Sequence, residues 1–312
     1  MNKRLLGKTG IELSEAGYGA AALFGKDVLG KQGITEEQAY ELIAASIKEG
    51  ITFFDTGINY GYSEERLGRC ISSAVKDGLT KREDLIIETK CGETVNPDGS
   101  YGSMDWSSDW LKKSLEISMQ RLQVDYIDLF AMHGECEKEK VEDVIQTFED
   151  MKRQGLIRAY GINTFNTGFL EWIAEEKCFD YVMLDYNIIK QDREPLIDKL
   201  TSNGIGVIAG MALGQALFSR KVFRIKNRND LWYMLRTMAH FRSNLSKSKD
   251  FRFLTQNEEF TGNQLALRYV LDNPNVSSAV FTTTSIEHLM ENLKATEIVM
   301  PEKLRKQIKD RA

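Results

Sequence analysis

The sequence predicts an α/β chain closed into one (β/α)8 barrel of the TIM type, on three observations. Eight short apolar runs end near Gly19, Asp55, Lys90, His133, Gly161, Asp185, Ala209 and Phe281. Helix-periodic segments alternate with these runs, the order expected of parallel strands joined by crossover helices. Asp55, Lys90 and His133 put titratable side chains at the ends of three successive runs, and the carboxyl ends of barrel strands are where such folds place their chemistry. A single domain over residues 1–312 is expected, because eight repeats use the whole length.

The elements follow in order. Residues 4–13 read as a hairpin with Lys8-Thr-Gly10 at the turn, placed to plug the bottom of the barrel. The first strand ends in Gly17-Tyr-Gly19-Ala-Ala-Ala22, which mimics a dinucleotide fingerprint. The segment behind it carries two more glycines and no helical period, so the helix that motif requires is missing. These glycines instead let the first strand approach a ligand closely. Residues 35–49 form an amphipathic helix opened by the capping box Thr35-Glu-Glu-Gln38. The run Ile51-Thr-Phe-Phe-Asp55 is the second strand, and Asp84-Leu-Ile-Ile-Glu-Thr-Lys90 the third. After it comes a loop rich in Gly, Ser and Asp, residues 96–103. Residues 107–122 form a helix with Leu111, Leu115, Met119 and Leu122 at helical spacing, anchored by Trp110. Tyr126-Ile-Asp-Leu-Phe-Ala-Met-His133 is the fourth strand, and residues 141–154 are the helix behind it.

Residues 220–252 differ in composition from the rest. They hold ten Lys/Arg against two acids, Asp230 and Asp250, which leaves the remainder at −13 in a chain of net charge −5. Leu231, Leu235, Met238 and Phe241 have helical spacing there. The segment is either a packed helix with a solvated basic face or a lid that attracts an anionic ligand.

Bulk numbers restrict the function. A net charge of −5 over 312 residues is modest, so the whole-chain balance suggests no nucleic acid or membrane partner, and no apolar run approaches a membrane span. The first residues lack the apolar stretch of a signal peptide. Cys70, Cys91, Cys136 and Cys178 form no C-x-x-C, so a reduced, cytoplasmic compartment is expected. Three histidines and no H-E-x-x-H leave little material for a metal site. Cys91 should point away from the barrel interior because it follows Lys90 in a strand. Cys136 reads as an inert thiol, with nothing beside it to lower its pKa.

Asp55, Tyr60, Lys90 and His133 form an acid–base set. Free tyrosine titrates near ~10, too high for an efficient proton donor at neutral pH. A neighbouring Lys90 would lower it, Asp55 would hold Lys90 charged and oriented, and His133 would orient a substrate oxygen. The set contains no obvious nucleophile, so it calls for an external hydride source, a nicotinamide.

The segment Phe54-Asp-Thr-Gly-Ile-Asn-Tyr-Gly-Tyr-Ser-Glu-Glu-Arg-Leu-Gly68 resembles the signature of the aldo-keto reductase superfamily. So do Glu88-Thr-Lys90, Ser114-Leu-Glu-Ile-Ser-Met-Gln-Arg-Leu122 with Asp125-Tyr-Ile-Asp-Leu129, and Gly155-Leu-Ile-Arg-Ala-Tyr-Gly161. Ala266-Leu-Arg-Tyr-Val-Leu271 and Glu291-Asn292 extend the resemblance over residues 4–294. It implies a barrel binding NADP or NAD across its top, with Asp55, Tyr60, Lys90 and His133 as catalytic tetrad and Tyr60 as general acid.

The implied cofactor residues are Gly19, Asn163, Thr164, Met183, Gly210, Met211, Leu213, Gln215, Thr282, Thr283, Thr284, His288, Glu291 and Asn292. Several depart from the family pattern. Asn163-Thr164 replaces Ser-Asn at the carboxamide, Met183 replaces a Gln, and Gly210 replaces the aromatic under the ring. Leu213-Gly-Gln-Ala-Leu217 resembles the pyrophosphate-covering loop. Thr282, Thr283, Thr284 and His288 stand where basic residues commonly hold a 2′-phosphate, which argues against a strong NADPH preference. Tyr62, Tyr101 and Trp106 are candidates for the substrate pocket wall.

The expected function is NAD(P)-dependent interconversion of a carbonyl and an alcohol on a small molecule, an aldehyde, ketone or sugar, by a monomer or small homo-oligomer. The alternatives are a nicotinamide-binding sensor with vestigial chemistry, and an isomerase or lyase that retains its nicotinamide.

Overall fold

The computed structural model describes residues 1–24, 33–96, 100–214 and 249–311. Eight parallel strands close into a barrel: β3 (Ala16–Gly19), β4 (Phe53–Asp55), β5 (Ile86–Cys91), β8 (Ile127–His133), β9 (Ile157–Asn163), β10 (Tyr181–Asp185), β11 (Gly206–Gly210) and β12 (Ser278–Phe281). Every strand end lies within two residues of the position expected from the apolar runs. Outside the ring run α1 (Glu36–Lys48), α2 (Ser63–Lys76), α3 (Ser108–Leu122), α4 (Lys138–Arg153), α5 (Thr167–Glu176), α6 (Glu194–Ser202), α7 (Gly262–Leu271) and α8 (Ile286–Leu293). A further helix, α9 (Glu302–Lys309), ends the described chain. None of the described helices is long and apolar enough to cross a membrane. The basic stretch of residues 220–248 lies outside the described residues, as do Gln215 and Leu217.

Local sequence explains the helix starts. Both arms of the α1 capping box form: Gln38 N–H donates to Thr35 Oγ1 at 3.1 Å and Thr35 N–H to Gln38 Oε1 at 2.9 Å. Ser107 caps α3 by accepting from the Trp110 N–H at 3.3 Å. The faces so set bury Leu111, Leu115 and Leu122 against the outside of the barrel.

Two ribbons flank the barrel. The antiparallel pair β1 (Lys3–Leu5) and β2 (Glu12–Ser14) is the expected hairpin, pairing Arg4 with Leu13. The hairpin drives Leu6, Ile11 and Leu13 into the cluster formed by the inward side chains Phe53, Ile86, Leu129 and Ile208. Gly7, at φ 53°, lies so near the start of β11 that a Cβ there would stand 2.5 Å from Gly204 O. The hairpin therefore closes the amino end of the barrel and leaves the carboxyl end open. The second ribbon departs from the expected irregular loop. β6 (Glu93–Val95) pairs with β7 (Tyr101–Met104) through a bulge, so part of the Gly- and Ser-rich segment is strand. Its backbone finds partners across the ribbon where the composition alone suggests a turn.

Candidate active site

Alternation along each strand decides which side chains reach the interior. On β4 these are Phe53 and Asp55, on β5 Ile86, Glu88 and Lys90, on β8 Leu129, Ala131 and His133. The first of each set is apolar core, and the last stands at the open end. Lys90 is buried, with its Nζ paired to Asp55 Oδ1 and donating to Thr56 O at 2.8 Å. The same ammonium lies 5.3 Å from the Tyr60 ring centroid. Tyr60 Oη is 3.4 Å from His133 Nε2, and the two rings meet edge to face, 5.5 Å apart at 84°. The four residues singled out in the sequence thus form one cluster.

Electrostatics amends one expectation. The sequence suggests a phenol lowered by Lys90, but in the structure the Tyr60 pKa is raised. Burial is the largest cause; Lys90 opposes it, and Asp55, Glu88 and Glu93 add to the rise. Burial outweighs the ammonium, whose pull on the phenol Asp55 partly offsets. Burial alone would push Lys90 down, but Asp55, helped by Tyr60 and Glu88, holds it above its ordinary value. Lys90 is therefore a permanent cation, and Tyr60 a neutral phenol at neutral pH.

The β6–β7 ribbon supplies contacts that sequence reasoning missed. His133 Nδ1 lies 3.4 Å from Glu93 Oε1, which also accepts from Asn59 Nδ2 at 2.7 Å. Burial would raise Glu93, but His133, with Asn59, holds its carboxyl below the usual range. Tyr101 Oη accepts from the Gly61 N–H at 2.8 Å and ties the ribbon to the loop carrying Tyr60. Tyr101 is thus a brace at the pocket rim. Trp106 lies over the bare face of Gly92, where a Cβ would stand 2.6 Å from its ring. That packing fixes Trp106 against the ribbon base. Tyr62 is exposed just before α2.

A cavity of about 360 Å³ adjoins the tetrad, lined by Asp55 and Tyr60 together with Asn163, Met183, Gly210, Met211, Leu213 and Thr282. Asn163 donates Nδ2–H to Met183 O at 3.3 Å, leaving its Oδ1 as an acceptor. Gly210 leaves a shelf beside Met183, since even a Cβ there would stand 3.4 Å from Met183 Cγ. This flat, partly apolar floor with an amide beside it fits a nicotinamide ring and its carboxamide. Met211 holds φ 55° at the cavity edge, an uncommon conformation for a residue with a side chain.

Other expected cofactor residues fall elsewhere. Thr164 points to the outer side of β9, where its hydroxyl pairs with Glu135 and accepts from the Asn166 N–H at 3.1 Å. Strand alternation turns it away from the cavity that Asn163 faces, and it is not among the residues lining that cavity. Gly19 is bare for Thr282, whose Oγ1 would stand 2.5 Å from a Cβ at that position. Thr283 is buried, its Oγ1 bonded within the turn to Ser285, while Thr282 and Thr284 are exposed. His288 lies in the first turn of α8, Glu291 is half-buried and Asn292 is buried.

The cysteines follow expectation. Cys91 is buried in the outer core, with Sγ 3.3 Å from Ala131 O. Burial, helped by Glu137, pushes the Cys136 thiol up to about 11, the opposite of an activated nucleophile.

A closed parallel barrel with this cluster and cavity at its carboxyl end defines a barrel oxidoreductase of the nicotinamide-dependent kind. The Aldo/keto reductase family model matches residues 15–311, and the chain belongs to that family. It is 27% identical over 303 residues to the uncharacterized oxidoreductase YqkF of Bacillus subtilis, covering 95% of this chain and 91% of that one. It is likewise 27% identical over 303 residues to the L-galactose dehydrogenase of Arabidopsis thaliana, covering 94% and 87%. Among solved structures, the holo form of the aldo-keto reductase AKR11C1 from Bacillus halodurans superposes with a TM-score of 0.81 at 23% identity, covering 100% and 96%. The family performs NAD(P)-dependent carbonyl reduction, and this chain is an enzyme of that type.

Proposed function

We propose that this enzyme interconverts a carbonyl and an alcohol on a small polar molecule, an aldehyde, ketone or sugar, with Tyr60 as general acid in reduction and general base in oxidation. The observation that carries the reading is the Tyr60 phenol held between the Lys90 ammonium and His133 Nε2 at the rim of the cavity. A bound nicotinamide dinucleotide supplies or accepts the hydride. Tyr60 gives its proton to the substrate oxygen as charge develops there, and the fixed Lys90 charge stabilises the phenolate left behind. Asp55 and Thr56 O hold that ammonium in place. His133, backed by Glu93, orients the substrate oxygen toward the phenol.

Asn163, Met183 and Gly210 hold the nicotinamide end, and the Thr282–Thr284 turn with the start of α8 takes the adenosine end. Hydroxyls and one imidazole at that turn favour NADH, or use of both dinucleotides, over strict NADPH use. The relative named for L-galactose supports a sugar-like substrate.

The test is Tyr60→Phe. Carbonyl reduction should fall by about 10²–10⁴-fold, while dinucleotide binding, read by fluorescence with NADH and NADPH in parallel, persists. A Tyr60→Phe enzyme that keeps the wild-type rate removes Tyr60 from the proton-transfer role.

A further inference from the structure

The mechanism leaves several buried acids unused, and one of them, Glu88, lies beside Asp55. Glu88 lies on β5 two residues before Lys90 and faces the barrel interior, fully buried. Its register partner on β4 is Asp55, so its carboxyl stands beside that member of the tetrad. Tyr181, fully buried on β10, reaches across the barrel and donates its hydroxyl to Glu88 Oε1 at 3.0 Å. It has room to do so because β9 carries Gly161 beside it, where a Cβ would stand 2.6 Å from the Tyr181 ring. Glu88 Oε2 finds no donor, and the carboxyl lies within hydrogen-bonding reach of Asp55. The charged and titratable groups facing Glu88 are Asp55, Lys90, Tyr60 and Tyr181. Leu129, Ala131, Ala159, Ile208 and Val280 belong to the apolar barrel interior.

Two acceptor carboxylates cannot satisfy each other; a proton between them can. With that proton, Asp55 and Lys90 cancel and the cluster is neutral. Without it, an uncompensated negative charge is buried, which is costly. We propose that Glu88 is a positioning residue for the acid–base step: at neutral pH it is a protonated carboxyl donating to Asp55, and above neutrality its ionisation makes Tyr60 a weaker acid. The proton leaves by way of Asp55, which lines the cavity and reaches water there. Burial pushes Glu88 up to about 8, against Lys90, and Glu88 is in turn among the groups that raise Tyr60.

The effect on reduction rests on Tyr60 being the acid; the proton on Glu88 does not. The test therefore begins without substrate. Infrared spectra of the whole enzyme, titrated across about pH 6–10, should show a protonated carboxyl band that fades near the Glu88 midpoint and is missing from Glu88→Gln. The Tyr60 phenolate spectrum, wild type minus Tyr60→Phe, should appear at lower pH in the Glu88→Gln background. With a carbonyl substrate, the alkaline fall in kcat should shrink in the same variant. Tyr181→Phe gives a second handle if Glu88→Gln misfolds. It removes a donor that favours the ionised carboxylate, so the band and the kcat fall should both move to higher pH. Absence of a Glu88-dependent band at neutral pH overturns the proposal. A phenolate titration identical in wild type and Glu88→Gln, or a Tyr181→Phe profile that does not move, overturns the coupling to Tyr60. Lack of turnover on every carbonyl, with the two spectra as expected, counts against the proposed reaction and leaves Glu88 as described.

Discussion

Lys90 feels two carboxyls, Asp55 in direct contact and Glu88 through space, and this redundancy has a measurable consequence. Removing one partner of a buried ion pair commonly costs about 3–5 kcal/mol because a bare charge is left behind. In Asp55→Asn, Glu88 can give up its proton and take over the ammonium. The single variant should therefore lose less than that amount, whereas Asp55→Asn with Glu88→Gln should lose about 3–5 kcal/mol, read by urea unfolding. Equal losses in the single and the double variant would mean that Glu88 does not respond to Lys90. The tetrad itself is legible in the sequence, because each of Asp55, Lys90 and His133 ends an apolar run. Glu88 and Tyr181 are not, since each lies inside such a run and reads as an exception to it. A signal is there all the same: Glu88 is two residues from Lys90, so strand alternation places both on one face.

Gly68 shows why one motif glycine at the scale of elements is not replaceable. It lies on α2 where α3 comes closest, and a Cβ would stand 2.6 Å from the Leu122 carbonyl carbon and oxygen. Backbone cannot rotate aside as a side chain can, so Gly68→Ala should push α2 from α3 and cost about 1–3 kcal/mol. Gly155→Ala offers contrast: it holds φ +75° with open space around it, so any cost there is backbone strain alone. Thermal melts of the two should separate packing from conformation, and a Gly68→Ala melt equal to wild type would refute the close approach as a constraint. At the start of α1, Thr35→Ala removes one arm of the capping box and should cost about 1 kcal/mol. The strand ends and the capping box could be read from local pattern because local physics sets them. The β6–β7 ribbon could not, because its pairing depends on partners across a turn and on Tyr101 reaching Gly61. The outward turn of Thr164 follows from alternation once Asn163 is known to face in, a choice that only the closed barrel makes.

Across the whole molecule, carboxyls shifted in opposite directions give stability a maximum on the acid side of neutrality. Glu93 and Glu194 are lowered in the fold. Burial opposes that in both, but His133 acts on Glu93, and Tyr269, Tyr186 and Lys309 act on Glu194. Such groups stabilise above their unfolded pKa of ~4.3 and lose that contribution as pH falls through their folded values. Glu88 works the other way. Burial raises it to about 8, so between its unfolded and folded values the native state holds a proton that the unfolded chain has released. Stability then declines as pH rises from about 4.3, by up to ~1.4 kcal/mol per unit, and levels off once Glu88 ionises in the fold. Glu64 is fully buried and also raised, by desolvation that Thr89, Ser118 and Arg121 only partly offset, and adds to the decline. Chemical unfolding at a series of pH values should trace this curve. In Glu88→Gln the acid limb should remain while the decline toward about pH 8 becomes shallower, with Glu64 supplying what is left. A slope identical to wild type would mean that Glu88 is already ionised below neutrality in the native barrel.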